Sequence, residues 1–367
     1  MALSRRHLTA LVPAAGALIL LAACGGSSGE TASSGGDGGD GGGDDAAAAT
    51  DTLSVSTEDA CAAAADEGGV VQHWATTDAA VFDEMIQPFK DAHPDITVEY
   101  TALRPNDAVQ QVLTLVQTGR DLGVDSIAMS VPYVGPLLQR DLIRDVDWAL
   151  LGIPEDQVLE VGDEISLYRN YRMVSGLVYN ADLISEDELP DTWEELVDAK
   201  WEGKIVVDPR GTYLSRLAPA WGEDETVDWY TRLMETAKPL VVQGATASLQ
   251  KVAVGEALMS TSAHDSEVLE QQAAGAPLEI KYLDLAPTQD YYSFIMSDAV
   301  HPNAAACFLS WYASEEGQAQ QLEFEFKGNE TAPSDVPDTT ELVNLETEED
   351  ATTVAEVGET LAGLTAS

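Results

Sequence analysis

The chain has 367 residues, of which 64 are acidic and 18 basic, so its net charge is −46. That length accommodates about two domains, and an apolar share of 45% excludes a polytopic membrane protein. Three cysteines are too few for a disulfide-dense scaffold or a four-cysteine zinc site, and so acidic a surface repels phosphate backbones and excludes a nucleic-acid partner.

The carboxylates are spread along the whole chain and only seven residues are lysine. This is the pattern of an acidic, halophilic surface, on which salt screens the self-repulsion.

Residues 1–24 read as a signal peptide. Arg5 and Arg6 supply the positive end, and Leu11 to Ala22 is an apolar run too short to span a bilayer. Leu21-Ala22-Ala23-Cys24 is similar to a bacterial lipobox, which makes Cys24 the expected lipid-anchor residue. Ser4-Arg5-Arg6-His7-Leu8 is also similar to a twin-arginine motif, so Sec and twin-arginine export both stay open. Residues 25–57 are mostly Gly, Ser, Ala, Thr and Asp, a composition expected to form a flexible tether. No later run of 18 apolar residues exists, so the expected location is the outer face of the cytoplasmic membrane, held by lipid alone. Cys61 and Cys307 remain. In an exported chain they fit either a disulfide or two buried thiols.

The body alternates strands and helices. Val70 to Trp74 is a strand, followed by the cap residues Thr76, Thr77 and Asp78 and by Phe82, Met85, Ile86 and Phe89 at helical spacing. Ile96, Val98 and Tyr100 alternate as a strand, Val109 to Val116 is helical, and Val124 to Ser130 is a third strand. Tyr133 to Arg140 reads as a helix. The second half repeats this order. Strands are expected at 176–179, 204–208, 257–261, 278–283 and 291–296, and helices near 213–221, 226–237, 246–254, 266–274 and 304–313. The βαβ order predicts doubly wound sheets, and two of them predict two lobes with a cleft between.

Several stretches then resemble one family. Gly176-Leu177-Val178-Tyr179-Asn180, Leu189-Pro190-Asp191-Thr192-Trp193-Glu194-Glu195-Leu196, and Lys200-Trp201-Glu202-Gly203-Lys204-Ile205 occur in order. So do Val207-Asp208-Pro209-Arg210-Gly211, Val254-Gly255-Glu256, and His301-Pro302-Asn303-Ala304 with Ser314-Glu315-Glu316-Gly317-Gln318. Together they resemble the extracellular solute-binding proteins of ABC importers, in the branch that includes ferric, polyamine and phosphonate binders. The resemblance implies a two-lobed periplasmic-binding-protein-like α/β fold of type 2, each lobe a mixed, mostly parallel sheet flanked by helices. The expected division is 58–170 with 286–325 in one lobe and 171–285 with 326–367 in the other, with hinges near 168–180 and 284–290. It also implies capture of a small solute by a single chain, and delivery to a permease with its ATPase. Presentation to a membrane sensor is the alternative. No cofactor is expected, and a ferric ion or chelate would be cargo.

Ligands of open α/β sheets sit beyond the carboxyl ends of strands. The loops that qualify nominate His73, Trp74, Thr76, Thr77, Ser130, Tyr133, Arg210, Thr212, Tyr213, Ser262, His264 and Asp265. Arg172 joins them from the stretch before the chain crosses between lobes, and Tyr291 from a later strand. Arginine near helix starts suits a carboxylate or phosphonate. A cluster of Trp74, Tyr133, Tyr213 and Tyr291 with Asp265 would suit a polyamine or other organic cation. Ferric-binding relatives place two adjacent tyrosines after the Gly-Glu motif, where this chain has Ser262-Ala263-His264-Asp265. The pair Tyr291-Tyr292 lies on a strand, where neighbours face opposite ways unless a bulge intervenes. No hydrolase elbow, zincin helix, Walker loop or dinucleotide fingerprint occurs in a strand-to-helix setting, so the chain reads as a binding protein and not an enzyme.

Overall fold

The computed structural model describes residues 52–161, 165–329, 336–345 and 347–366. The signal peptide, Cys24 and the tether to residue 51 lie outside the described residues. The expected tether ends earlier than residue 57. Leu53 bridges Val146, and Ser56 caps a helix over Thr57–Ala63, accepting from the Asp59 N–H. Leu53 and Val55 pack on the core, burial that outweighs the polar composition around them.

In chain order the strands are β1 (Val70–Ala75), β2 (Thr97–Ala102), β3 (Ser126–Ser130), β4 (Val158–Val161), β5 (Ile165–Val174), β6 (Leu177–Asn180), β7 (Ile205–Val207), β8 (Leu240–Val241), β9 (Met259–Ser260), β10 (Leu278–Lys281), β11 (Leu285–Ile295) and β12 (Glu341–Val343). One sheet runs β2-β1-β3-β11-β5-β4, with β12 on β11, and the other runs β10-β6-β9-β7-β8. Both are mixed. Among the named strands, parallel pairing is found at β2-β1-β3, β8-β7-β9 and β11-β12. Antiparallel pairs are therefore as numerous as parallel ones, where the expectation had parallel pairing in the majority.

The chain passes from the first sheet to the second between Val174 and Leu177, and returns between Lys281 and Leu285. The expected lobe limits differ in two places. β5 carries the first sheet to Val174, past the expected boundary at 170. In the tail, β12 joins the first sheet, while the helix Glu348–Thr365 packs on helices of the second. That terminal helix starts at a capping box, in which Thr347 Oγ1 accepts from the Asp350 N–H at 3.0 Å and the Asp350 carboxylate accepts from the Thr347 N–H at 3.0 Å.

Each sheet has its own core. Phe82, Phe89, Phe308, Trp311 and Tyr312 fill one side of the first. Trp193, Trp201, Trp229 and Tyr230 fill one side of the second. The indoles there find backbone acceptors, Trp193 on Leu285 O at 2.8 Å and Trp201 on Glu195 O at 3.1 Å, which is how an amphipathic ring is buried without cost. The helix expected across Phe82 to Phe89 is two helices, Ala79–Met85 and Gln87–Ala92, because Pro88 opens the second. Cys61 and Cys307 form a disulfide that joins the first helix to the helix Pro302–Ala313.

Candidate functional site

Two cavities lie where strand-end loops of the two sheets approach each other. The first has a volume of about 460 Å³. The loop after β3 gives it Ser130 and Tyr133, and β11 gives it Gln289 and Tyr291. The loop after β7 adds Arg210, Thr212, Ser215 and Arg216. The terminal helix closes one side. The second cavity, of about 410 Å³, takes Thr77 and Asp78 from the loop after β1 and Ser266, Glu267 and Glu270 from the helix after β9, with Glu325 and Lys327 beside them.

Five of the expected residues thus share the first cavity: Ser130, Tyr133, Arg210, Thr212 and Tyr291. The aromatic ring of Tyr291 stacks on Tyr171 at 4.8 Å. Burial raises the Tyr291 hydroxyl pKa, opposing phenolate formation. Its neighbour Tyr292 faces the other way, into the core behind the first sheet. The register shift beside this pair leaves the extra residue, Asn170, on β5, so the two phenols do not form a joint ligand pair.

Other expected residues have structural roles. His73 is fully buried, holds Ser126 Oγ at 2.9 Å through Nδ1, and packs on Phe82 and Phe308. Burial lowers its pKa to about 3, so it is a neutral core residue. Trp74 is buried against the helix Pro105–Gln117 side of the sheet. The Thr76 hydroxyl bonds Tyr171. Thr77 donates to Glu325 Oε1 at 3.0 Å and lines only the second cavity. Ser262 is buried. His264 is held between Ser175 Oγ at 2.8 Å and Gln289 Oε1 at 3.2 Å. Burial, then the charge of Arg216, lower its pKa to about 3. Asp265 is buried and accepts from the backbone N–H of Val174 and of Ser266. Tyr213 packs on the His264 ring at 5.1 Å. With Trp74 in the core and Asp265 spent on backbone, the aromatic cation cluster is not assembled.

The arginines sort in the same way. Arg172 grips Asp290 through Nε and Nη2, at 2.8 and 2.6 Å, and Arg210 grips Asp208 at 2.9 and 2.7 Å. Arg169 donates to Asn329 Oδ1 at 2.8 Å. Arg216 was not singled out from the sequence, yet it is the arginine left with its charge uncompensated in the cavity. Its Nη1 donates to Thr288 O at 3.0 Å, and it forms no ion pair among the described residues. Burial lowers its pKa without removing the charge. Helical spacing held the signal, since Arg216 follows the nominated Tyr213 by three residues in a stretch expected to be helical.

Metal-binding geometry is sparse. Among the described residues, the cluster of His, Cys, Asp or Glu with ligand atoms close together is Cys61, His93 and Cys307, whose sulfurs are joined to each other. No helix among the described residues is long and apolar enough to cross a membrane.

Residues 73–319 match the family described as bacterial extracellular solute-binding protein. No curated protein matches the chain. Among solved structures, iron-bound HitA from Pseudomonas aeruginosa is similar at 17% identity and a TM-score of 0.64, covering 80% of this chain and 99% of that one. The IdiA (FutA) protein of Trichodesmium in complex with iron and citrate is similar at 15% identity and a TM-score of 0.62, covering 81% and 98%. AfuA from Actinobacillus pleuropneumoniae, with exogenous fructose-6-phosphate bound, is similar at 14% identity and a TM-score of 0.55, covering 80% and 97%. These likenesses show the shared two-sheet fold.

Proposed function

We propose that this chain, a member of the bacterial extracellular solute-binding proteins, captures a small anion between its lobes and hands it to an ABC permease. The observation that carries the anion is Arg216, a guanidinium inside the 460 Å³ cavity with one backbone acceptor and no carboxylate partner. Asp290, an acid whose charge acts on Arg216, is already held by Arg172 and by the Tyr292 hydroxyl at 3.3 Å. Ser130 and Tyr133 lie on the wall contributed by the first sheet's lobe, so an anion there would touch both lobes. Only contacts better in the closed form than in the open form drive closure. The two crossings, at Ser175 with Gly176 and at 282–284, are the segments that would rotate.

Bare ferric ion is the weaker cargo, because Glu359 is the one carboxylate among the described residues that line this cavity, and burial opposes phenolate formation at Tyr291. An anionic ferric chelate remains within the class. The export signal, lipidation at Cys24 and a tether that holds the binding unit at the outer face of the cytoplasmic membrane complete the proposal. They rest on the motif at residues 21–24 and on the composition that follows.

The test is a thermal-melt series with phosphate, a phosphonate, ferric citrate and a polyamine, with iron content read on the same sample. An anion should raise the melting temperature of the parent and not of Arg216→Gln. A shift with the polyamine alone, or iron bound without a chelator, would overturn the reading.

A further inference from the structure

The terminal helix Glu348–Thr365 lies beyond the stretch that matches the family, residues 73–319. Its seating is close. A Cβ on Gly211 would stand 2.7 Å from Leu361 Cβ, and one on Gly358 would stand 3.5 Å from Ser215 Oγ. Toward the cavity it turns Ala351, Val354, Ala355, Gly358, Glu359 and Ala362. These fall three or four residues apart, hence on one face. The same helix borders a neighbouring space of about 700 Å³ against residues 131–139, sharing Tyr133, Ala351 and Ala355 with the first cavity.

A stripe of small residues alone need only reflect close packing. Here a second feature points to a ligand. Ser215 lines the same cavity, is 1% exposed, and its hydroxyl has no hydrogen-bond partner. A buried hydroxyl left unpaired is costly, and next to Arg216, which has a backbone acceptor but no carboxylate partner, it completes a polar head group site. Beyond that head the helix wall is aliphatic apart from Glu359, which is exposed to solvent.

We infer that the terminal helix forms the specificity wall of the binding cavity, and that the solute is an organic anion with an apolar body. Arg216 and Ser215 hold the anionic head, and the face of Val354 and Ala355 covers the hydrocarbon. This rests on the anion reading above and narrows it. Inorganic phosphate would fill only the head site.

The experiment is calorimetric titration of the protein with inorganic phosphate and with straight-chain carboxylates from acetate to octanoate. In the parent, affinity should grow with each methylene, toward the roughly fourfold per carbon that full burial gives. Ala355→Trp, at an exposed position, should flatten that series by filling the space, and Val354→Asn should flatten it by making the wall polar. Thr360→Trp, on another face of the helix, should keep the parent slope.

A flat series in the parent would overturn the inference. So would a slope untouched by both Ala355→Trp and Val354→Asn. If the acids bind through Arg216 without any gain with length, only the helix wall falls. If neither phosphate nor any acid binds, the anion reading fails and this inference fails with it.

Discussion

Arg216 and Thr288 meet across the cleft, the guanidinium Nη1 donating to the Thr288 carbonyl at 3.0 Å. The bond ties a turn of the second sheet's lobe to β11 of the first. It orients the side chain while leaving its charge without a carboxylate. Arg216→Gln keeps a donor for Thr288 O and removes the charge. The variant should fold as the parent does and bind anions roughly tenfold to a hundredfold more weakly, the worth of a charge-assisted hydrogen bond. Titration with whichever anion shifts the melt reads this directly. An affinity within twofold of the parent would remove Arg216 from the site.

Two buried histidines set the acid limit. Burial holds His73 and His264 neutral down to about pH 3, whereas an unfolded histidine takes up its proton near 6.5. Between those values the unfolded state binds more protons, so stability is lost as pH falls from about 6.5. His264→Gln removes one of the two titrations. Its urea midpoint should change less than the parent's between neutral pH and about pH 4.5. Parallel curves for the two proteins would show that His264 is protonated in the folded state.

Where the chain alternates apolar and polar residues, its elements were legible. The run Val70 to Trp74 and the cap residues after it place a strand and helix that the structure contains. β5 was hidden because its buried residues include Tyr168, Asn170 and Tyr171, which break the apolar signal. The terminal helix was hidden because its buried residues, Ala351, Val357, Gly358 and Leu361, include a single large apolar side chain in a stretch rich in Glu and Thr. The strand-end rule nominated loops that border the first cavity, but several of the side chains it named do not face it. His73, Trp74 and Asp265 sit at strand or helix ends, yet their side chains point into the protein, and a period of two cannot say which face will be covered. Arginines divide by partner, and partners such as Asp290 for Arg172 lie 118 residues away, beyond local reading.

Glu267 works against the histidines. Burial first, with Asp265 and Glu270 adding, raises its pKa to about 6 from 4.5, although its carboxylate accepts from the His264 N–H at 2.8 Å. The folded state therefore binds the proton more tightly, and stability falls as pH rises between about 4.5 and 6. Above that range the ionised form carries the penalty. Glu267→Gln keeps an acceptor for the helix start and cannot ionise. It should stabilise the protein near pH 7.5 by up to about 2 kcal/mol and give no gain near pH 4. Denaturant unfolding at the two pH values separates these outcomes. An equal effect at both would mean that packing, and not ionisation, is what the substitution changed.

Salt should stabilise this chain. A net charge of −46 over 367 residues means that an exposed carboxylate has far more like than unlike charges around it. Raising salt from about 0.1 M to about 1 M cuts the screening length from about 10 Å to about 3 Å. That removes repulsion between surface carboxylates and also weakens exposed ion pairs, such as Lys238–Glu202 and Lys251–Glu256. Those pairs are each worth at most about 1 kcal/mol, and the basic residues that could form them are outnumbered 64 to 18, so relief of repulsion wins. The pair Arg172–Asp290, with side chains 16% and 7% exposed, is shielded from the ions and should hold. The melting temperature should therefore rise with potassium chloride over this range. Potassium chloride and tetramethylammonium chloride should act alike at equal ionic strength if screening is the cause. A melting temperature that falls with both salts would mean that the ion pairs contribute more than the repulsion they offset.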